Sequence, residues 1–111
     1  MIQTRSTNIV TYNMHGFNQG VMTISELCEK YDFVFLQEHW LAPFDLQRID
    51  AVCNKCLSFS TSAIITKINS GIMRGRPFGG VSIIVKNDIA KHAKLICKTE
   101  RFIIMMFLIL Y

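Results

Sequence analysis

The segment DFVFLQEHW, residues 32–40, is an apolar run that ends abruptly on a carboxylate. Residues 33–36 have the aromatic and branched composition of a buried strand, and Gln37, Glu38 and His39 follow directly. A carboxylate at the end of a core strand is costly to bury without a partner. The segment therefore predicts a central strand and, at its carboxyl end, a group that receives Glu38.

A second short run, NIVTYN at residues 8–13, is also typical of a strand and ends on Asn13. Between the two runs, one helical face is predicted by the spacing of Ile24, Leu27, Cys28 and Tyr31. Thr23 and Glu26 have the spacing of a capping box, which places the start of this helix near Thr23. If the two strands lie parallel and adjacent, Asn13 and Glu38 meet at one edge of the sheet, where open α/β sheets bind ligands.

The rest of the chain is predicted to contain one more helix and then several strands. The second helical face, with Asp45 as its cap, consists of Leu46, Ile49, Val52, Cys53 and Cys56. Strands are predicted at residues 57–65 and 80–87 and within the segments AKLICK and RFIIMMFLIL. Gly79 and Gly80 permit a tight turn into the strand at 80–87. This order predicts an α/β protein whose helices pack on a sheet, with a strand-rich second part.

The length of 111 residues suits one domain, and no linker or repeat divides it. The start of the chain shows no secretory signal, so an intracellular protein is expected. Residues 102–110 are nine apolar residues in a row, whereas a membrane helix needs about 20, so a buried strand is favoured and no membrane contact is expected. Because this strand stops at Tyr111 without a turn, we expect residues 1–111 to be a domain truncated at its C-terminus.

Charge is distributed unevenly along the chain. Residues 67–111 carry eight Lys and Arg against two acidic residues, whereas residues 1–66 carry four basic and six acidic residues. A basic half suits a polyanionic partner such as DNA, and solvated surface lysines are the alternative interpretation.

The four cysteines are expected to be reduced thiols in an intracellular protein. Cys53 and Cys56 have zinc-like CxxC spacing, but no second CxxC or HxxxH motif supplies the other two ligands of a structural zinc. The two thiols also fall on the apolar face of the second predicted helix. A zinc site is therefore not expected.

Glu38 and Asn13 are the candidate metal ligands. Magnesium is typically held by one or two carboxylates and leaves its other positions to water and substrate phosphate, which suits one carboxylate with an amide beside it. Alternatively, the Glu38 carboxylate is paired with an arginine or a backbone amide at the strand end, and Asn13 is an ordinary turn residue.

Candidate nucleic-acid contacts surround this edge. His15 and His39 lie in the loops after the two strands. Each is a candidate contact to a phosphate or a base, and the alternative interpretation is an exposed loop histidine. Arg74 and Arg76 lie in the glycine-containing loop before residue 80 and are candidate contacts to a nucleic-acid backbone. The aromatic rings of Trp40 and Phe44 either stack on bases or pack against the core.

The segments IVTYNMHGF, DFVFLQEHWL and GRPFGGVSIIVK, in this order, resemble the start of the endonuclease/exonuclease/phosphatase superfamily. They are most similar to the endonuclease domain at the front of non-LTR (LINE-type) retrotransposon polyproteins. The likeness runs from about Thr7 onward and covers about the first half of the family's domain. It implies a two-sheet, DNase I-like α/β sandwich, present here as its N-terminal half.

The resemblance also implies a function, namely Mg²⁺-dependent phosphodiester hydrolysis that nicks DNA, with Mn²⁺ as an alternative ion and no small-molecule cofactor. Glu38 matches the family's metal-binding glutamate, Asn13 its first-motif asparagine, and Tyr111 stands where a catalytic tyrosine follows an apolar strand. The family's Asp and Asn pair and its closing Asp-His pair have no counterparts here, so the isolated chain is expected to be inactive. A retroelement endonuclease would act in the nucleus. The alternatives are a non-enzymatic relic that binds nucleic acid or a partner through the basic half, and a phosphatase branch of the superfamily.

Overall fold

A computed structural model describes residues 6–63, 79–99 and 101–107 of the chain. Over these residues the protein is a compact α/β protein with two sheets and three α-helices. In chain order the elements are β1 (Ile9–Asn13), α1 (Phe17–Lys30), β2 (Phe33–Gln37), a 3-10 turn (Pro43–Asp45), α2 (Gln47–Asp50), β3 (Cys56–Thr61), β4 (Val81–Lys86), α3 (Asn87–Ala90), β5 (Ala93–Lys98) and β6 (Ile103–Phe107). The predicted α/β class is confirmed.

The larger sheet has the strand order β1-β2-β4-β3. β1 and β2 are adjacent and parallel, which is the condition under which Asn13 and Glu38 were expected to meet, and Asn13 lies opposite Gln37. β4 runs antiparallel to both β2 and β3. Val81, the first residue of β4, is opposite both Gln37 and Thr61. The ends of β1, β2 and β3 and the start of β4 therefore lie along the same edge of the sheet.

Both faces of this sheet are covered, which explains why β2 is a continuous apolar run rather than an alternating one. Because side chains alternate between faces of a strand, Val34 and Leu36 face the helices while Phe33 and Phe35 face the second sheet. The buried cluster on the helical face comprises Met14, Phe17, Ile24, Cys28, Val34, Leu36, Leu41, Ile49 and Ile84. The opposite face packs against β5 and β6, where the Phe33 and Phe107 rings meet edge to face with centroids 4.6 Å apart.

Helix α1 begins at Phe17, six residues before the predicted start, so the capping-box prediction is wrong. Gly16 occupies the N-cap position with a φ of 99° and makes no side-chain capping bond. The backbone N–H groups of Gly16 and Phe17 instead donate to the carbonyls of Glu38 and His39, at 2.8 and 2.9 Å. Loop carbonyls that are distant in sequence therefore satisfy donors that a helix start otherwise leaves open.

The second predicted helix is also much shorter than expected. Only Gln47–Asp50 are α-helical, Leu46 rather than Asp45 is the N-cap, and no side-chain capping bond forms. Cys56 is not helical; it begins β3 opposite Lys86 of β4. The ladder of β3 with β4 therefore overrides the helical spacing of the apolar side chains at the end of the predicted helix.

The strand-rich second part is confirmed for the described residues. β3 ends at Thr61, and the remainder of the predicted strand at 57–65 lies outside the described residues. β5 and β6 pair antiparallel, with an irregularity between Leu95 and Cys97. Among the described residues, no helix is long and apolar enough to cross a membrane.

Candidate functional site

Asn13 and Glu38 lie at adjacent strand ends, as the sequence predicted. Asn13 is the last residue of β1 and is opposite Gln37, so Glu38 is the first residue beyond the paired strands. Asn13 is exposed, and its Oδ1 accepts a hydrogen bond of 3.1 Å from the backbone N–H of His15. This bond from a side chain to the backbone two residues later is typical of a turn, and it lies directly after β1.

Glu38 is half-buried and adopts a left-handed backbone conformation, with a φ of 60°. Its Oε2 accepts a short hydrogen bond of 2.6 Å from the indole N–H of Trp40, and its carbonyl accepts from Gly16. A carboxylate offers about four acceptor positions, so the Trp40 bond occupies only one of them. The carboxylate that follows β2 is therefore held by an indole donor and retains capacity for a further ligand.

His39 is fully buried rather than exposed at the loop surface. Its Nδ1 accepts a hydrogen bond of 2.9 Å from the backbone N–H of Leu41. In the neutral ring the proton therefore lies on Nε2, which donates to the Thr61 carbonyl at 2.8 Å. Burial lowers the pKa of His39, although the bond to Thr61 acts in the opposite direction. With both ring nitrogens bonded to protein backbone, the expectation that His39 contacts nucleic acid is wrong, and His39 instead ties β2 to β3.

Gly79 and Gly80 lead into β4, each with a φ of 94°, as the predicted tight turn requires. The Gly79 carbonyl accepts from the backbone N–H of Trp40 at 2.9 Å. A Cβ on Gly80 would lie 2.6 Å from His39 Nε2 and 2.7 Å from Nδ1, distances that real side chains do not tolerate. Gly80 is therefore required both for its backbone conformation and for the close approach of the buried imidazole.

A cleft of about 480 Å³ opens beside Trp40, between the start of α1 and the loop that follows β2. Exposed His15 contributes one wall, and its ring centroid lies 5.8 Å from that of Trp40. Phe44 and Arg48 line the cleft as well, and the Arg48 guanidinium carbon lies 4.7 Å from the centroid of the Phe17 ring. Trp40 and Phe44 thus lie on a surface that a ligand can reach, while His15 stays a candidate contact.

Three of the predicted site residues, Arg74, Arg76 and Tyr111, lie outside the described residues. Their roles in nucleic-acid contact and catalysis stay predictions.

Three of the cysteines form a cluster on the helical side of the sheet. Cys53 Sγ lies 3.0 Å from Cys56 Sγ, and both side chains pack against the cluster that contains buried Cys28. Burial raises the pKa of Cys28 to about 11 and that of Cys56 to about 12. All four cysteines are free thiols, and the raised pKa values of Cys28 and Cys56 disfavour, at these two residues, the thiolate forms that bind metals or act as nucleophiles.

The donor chemistry at the strand ends fits a hard divalent cation. Glu38 supplies a carboxylate and Asn13 an amide oxygen, and magnesium leaves most of its coordination to water and phosphate. Among residues 6–63, 79–99 and 101–107, no group of three or more His, Cys, Asp or Glu side chains is placed to hold a metal ion. An ion held here would therefore depend on a small protein ligand set.

No protein-family model matches the chain, and no curated protein matches it significantly.

Sequence reasoning missed three features of this region: the burial of His39, the contact of Gly80 with it, and the packing of Trp40 on Gly16. A Cβ on Gly16 would lie 2.7 Å from the Trp40 ring. The only local signals in the sequence were the glycines themselves, namely Gly16 in the turn after β1 and Gly80 in the turn before β4. Glycine at a turn indicates backbone freedom but does not identify the side chain that uses the vacated space.

Proposed function

We propose that this chain is the N-terminal part of a Mg²⁺-dependent phosphodiester hydrolase, a DNA-nicking endonuclease of retroelement type with a DNase I-like two-sheet sandwich. The observation that carries the proposal is the parallel pairing of β1 with β2, which brings Asn13 and Glu38 to adjacent strand ends. The pairing of Asn13 with Gln37 fixes their relative position within the sheet. An α/β protein with a second sheet packed on the first is consistent with the proposed sandwich.

In the proposed mechanism Glu38 would hold a magnesium ion, and Asn13 would help to orient the metal and phosphate site. A bound magnesium ion would stabilise negative charge on the phosphate being attacked. The indole N–H of Trp40 fixes one carboxylate oxygen of Glu38 and so limits the orientations that the carboxylate can adopt. His39 is a positioning residue, because its two backbone bonds anchor the chain directly after Glu38.

These residues supply metal binding and orientation, but no general base for the attacking water is assigned among them. In the family that the sequence resembles, an aspartate without a counterpart in these 111 residues has that role. We therefore expect no plasmid nicking by this chain alone in Mg²⁺. Nicking that is lost in Glu38→Ala would show that this half of the site is sufficient.

The decisive experiment measures magnesium binding rather than turnover. Wild-type protein, Glu38→Gln and Glu29→Gln are titrated with Mg²⁺ by calorimetry, and the emission of Trp40 is followed in parallel. Trp40 is the chain's single tryptophan and donates to the proposed ligand, so binding at Glu38 should change its emission. Glu29→Gln is the matched control because Glu29 is an exposed carboxylate on α1.

We expect Glu38→Gln to abolish Mg²⁺ binding while Glu29→Gln leaves it unchanged. Glutamine keeps an oxygen that can accept from Trp40, so the loss would reflect charge rather than misfolding. Equal Mg²⁺ affinity in wild type and Glu38→Gln would contradict the assignment of Glu38.

A relic that only binds nucleic acid is the second candidate, because basic side chains at and around β5 are exposed. These are Lys91, Lys94, Lys98 and Arg101. Such a relic would bind DNA with strong salt dependence and no requirement for Mg²⁺ or Glu38. The magnesium titration therefore separates the two candidates.

A further inference from the structure

The metal site proposed above uses Trp40 and His39 for positioning, but it leaves the cleft that they line without a ligand. Its volume of about 480 Å³ lies within the range of roughly 300–1,000 Å³ that is typical of sites for small organic groups. The side chains that give the cleft its chemistry are His15, Trp40, Phe44, Asp45 and Arg48. Three of these five are ring systems, so the walls are suited to a flat ligand.

The backbone around the cleft is held in conformations that L-residues rarely adopt. His15, Glu38 and Trp40 have φ values of 53°, 60° and 58°, which is unusual for any residue with a side chain and most unusual for a bulky one. Such strained residues persist only where surrounding contacts impose them, and they concentrate at ligand sites.

The contacts that impose this conformation also fix the Trp40 ring. The ring lies against Gly16, the indole N–H donates to Glu38, and the backbone N–H donates to Gly79. Trp40 is therefore a preorganised aromatic surface rather than a side chain that must be ordered by its ligand.

The charge of the cleft favours a neutral ligand over a free phosphate. Arg48 and Asp45 line it with opposite charges, and Arg48 is already bonded to Asn18 at 2.9 Å and placed over the Phe17 ring. Phe44, in contrast, leaves 61% of its surface exposed. An aromatic side chain exposed at the mouth of a cleft is a ready partner for a planar heterocycle.

We propose that this cleft binds an unpaired nucleobase by stacking on Trp40 and Phe44. This inference rests on the proposed function, because the nucleobase in the cleft would belong to the nucleic acid that the proposed metal site acts on. Asn18, Gln19 and Asp45, which also line the cleft, offer donors and acceptors to the edge of a base. Because Trp40 also bonds Glu38, a base in the cleft lies next to the carboxylate proposed to bind the metal.

The test follows Trp40 fluorescence in EDTA, so that metal binding does not contribute. The 111-residue chain is titrated with a single-stranded oligothymidylate and with an abasic oligomer that has the same number of phosphates. The variants are Phe44→Ala, Phe44→Tyr and, as a matched control, Phe102→Ala. Phe102 is 46% exposed, lies outside the cleft and precedes β6.

The oligothymidylate should quench Trp40 saturably, and the abasic oligomer should not. Stacking energies predict that Phe44→Ala weakens binding on the order of tenfold, while Phe44→Tyr and Phe102→Ala retain it. Equal quenching by both oligomers would overturn the proposal, because phosphates rather than bases would then be recognised. Absence of quenching, or equal effects of Phe44→Ala and Phe102→Ala, would overturn it as well. Loss of Mg²⁺ binding in Glu38→Gln would still support the metal site in any of these cases, so the two proposals fail separately.

Discussion

Replacing Gly80 with alanine tests how the residue after Glu38 is held. The added Cβ would overlap the ring of buried His39, with Nε2 at 2.6 Å, and would require alanine to adopt a φ of 94°. The ring is fixed by hydrogen bonds to Thr61 and Leu41, so it has little freedom to withdraw. We expect Gly80→Ala to lower the free energy of unfolding substantially.

The size of the effect follows from two separate costs. A left-handed conformation costs a residue with a Cβ about 1–2 kcal/mol. Overpacking at a buried contact costs about 1–3 kcal/mol more. The sum of about 2–5 kcal/mol is a large fraction of the roughly 5–15 kcal/mol that stabilises a typical domain.

A double-mutant cycle separates the two costs. His39→Ala removes the ring, so in the double variant the overlap disappears and only the backbone cost of Gly80→Ala remains. The double variant should therefore be less destabilised than the sum of the single variants by about 1–3 kcal/mol.

The assay is urea denaturation followed by far-ultraviolet circular dichroism, since Trp40 itself bonds Gly79 and is an unsuitable probe here. Equal m-values across the four proteins would confirm that the same surface is exposed on unfolding. Additivity within about 0.5 kcal/mol would refute the contact between Gly80 and His39.

Two further predictions concern titration. Burial lowers the pKa of His39 in the folded state, so the unfolded state binds more protons once the pH falls below the unfolded pKa of about 6.5. The free energy of unfolding should therefore fall on acidification below about pH 6.5, and urea denaturation of His39→Gln over the same pH range should show a smaller fall. Burial raises the pKa of Cys28 to about 11 and that of Cys56 to about 12, so at pH 8 their thiolate fractions are about a hundredfold and a thousandfold below that of an ordinary thiol. Mass spectrometry should show slow alkylation of both by iodoacetamide in the native protein and rapid alkylation in urea; rapid native alkylation would contradict their burial.

The first two strands were predictable because their signals are local, whereas their parallel pairing entered only as a condition. Each is a short apolar run that ends on a polar residue. The segment between them has helical spacing, and a helix is the usual connection between two adjacent parallel strands. The edge that carries Asn13 and Glu38 follows directly from that arrangement, so this pair was found from sequence alone.

The errors arose where partners distant in sequence determine the local structure. Helix α1 starts at Phe17 because carbonyls of residues 38 and 39 accept its first N–H groups, and no side chain near residue 17 reports this. Cys56 has helical spacing but joins a ladder with Lys86. His39 is buried because a carbonyl of another strand, that of Thr61, lies within reach of its ring. A single sequence contains no signal for such pairings.

The three residues after β2 are bonded to three other segments of the described chain, and this explains how a carboxylate can follow a core strand. The Glu38 carbonyl is bonded to Gly16 at the start of α1, the His39 ring to Thr61 of β3, and the Trp40 backbone to Gly79 before β4. Backbone bonds thus anchor the 38–40 loop to α1 and to the turn before β4, and among the bonds described the carboxylate of Glu38 is held by Trp40 alone. A site whose supporting bonds are independent of its ligand is preorganised. Neutralising Glu38 as glutamine should therefore remove charge while leaving the loop intact, which makes this variant the sharpest test of a metal role.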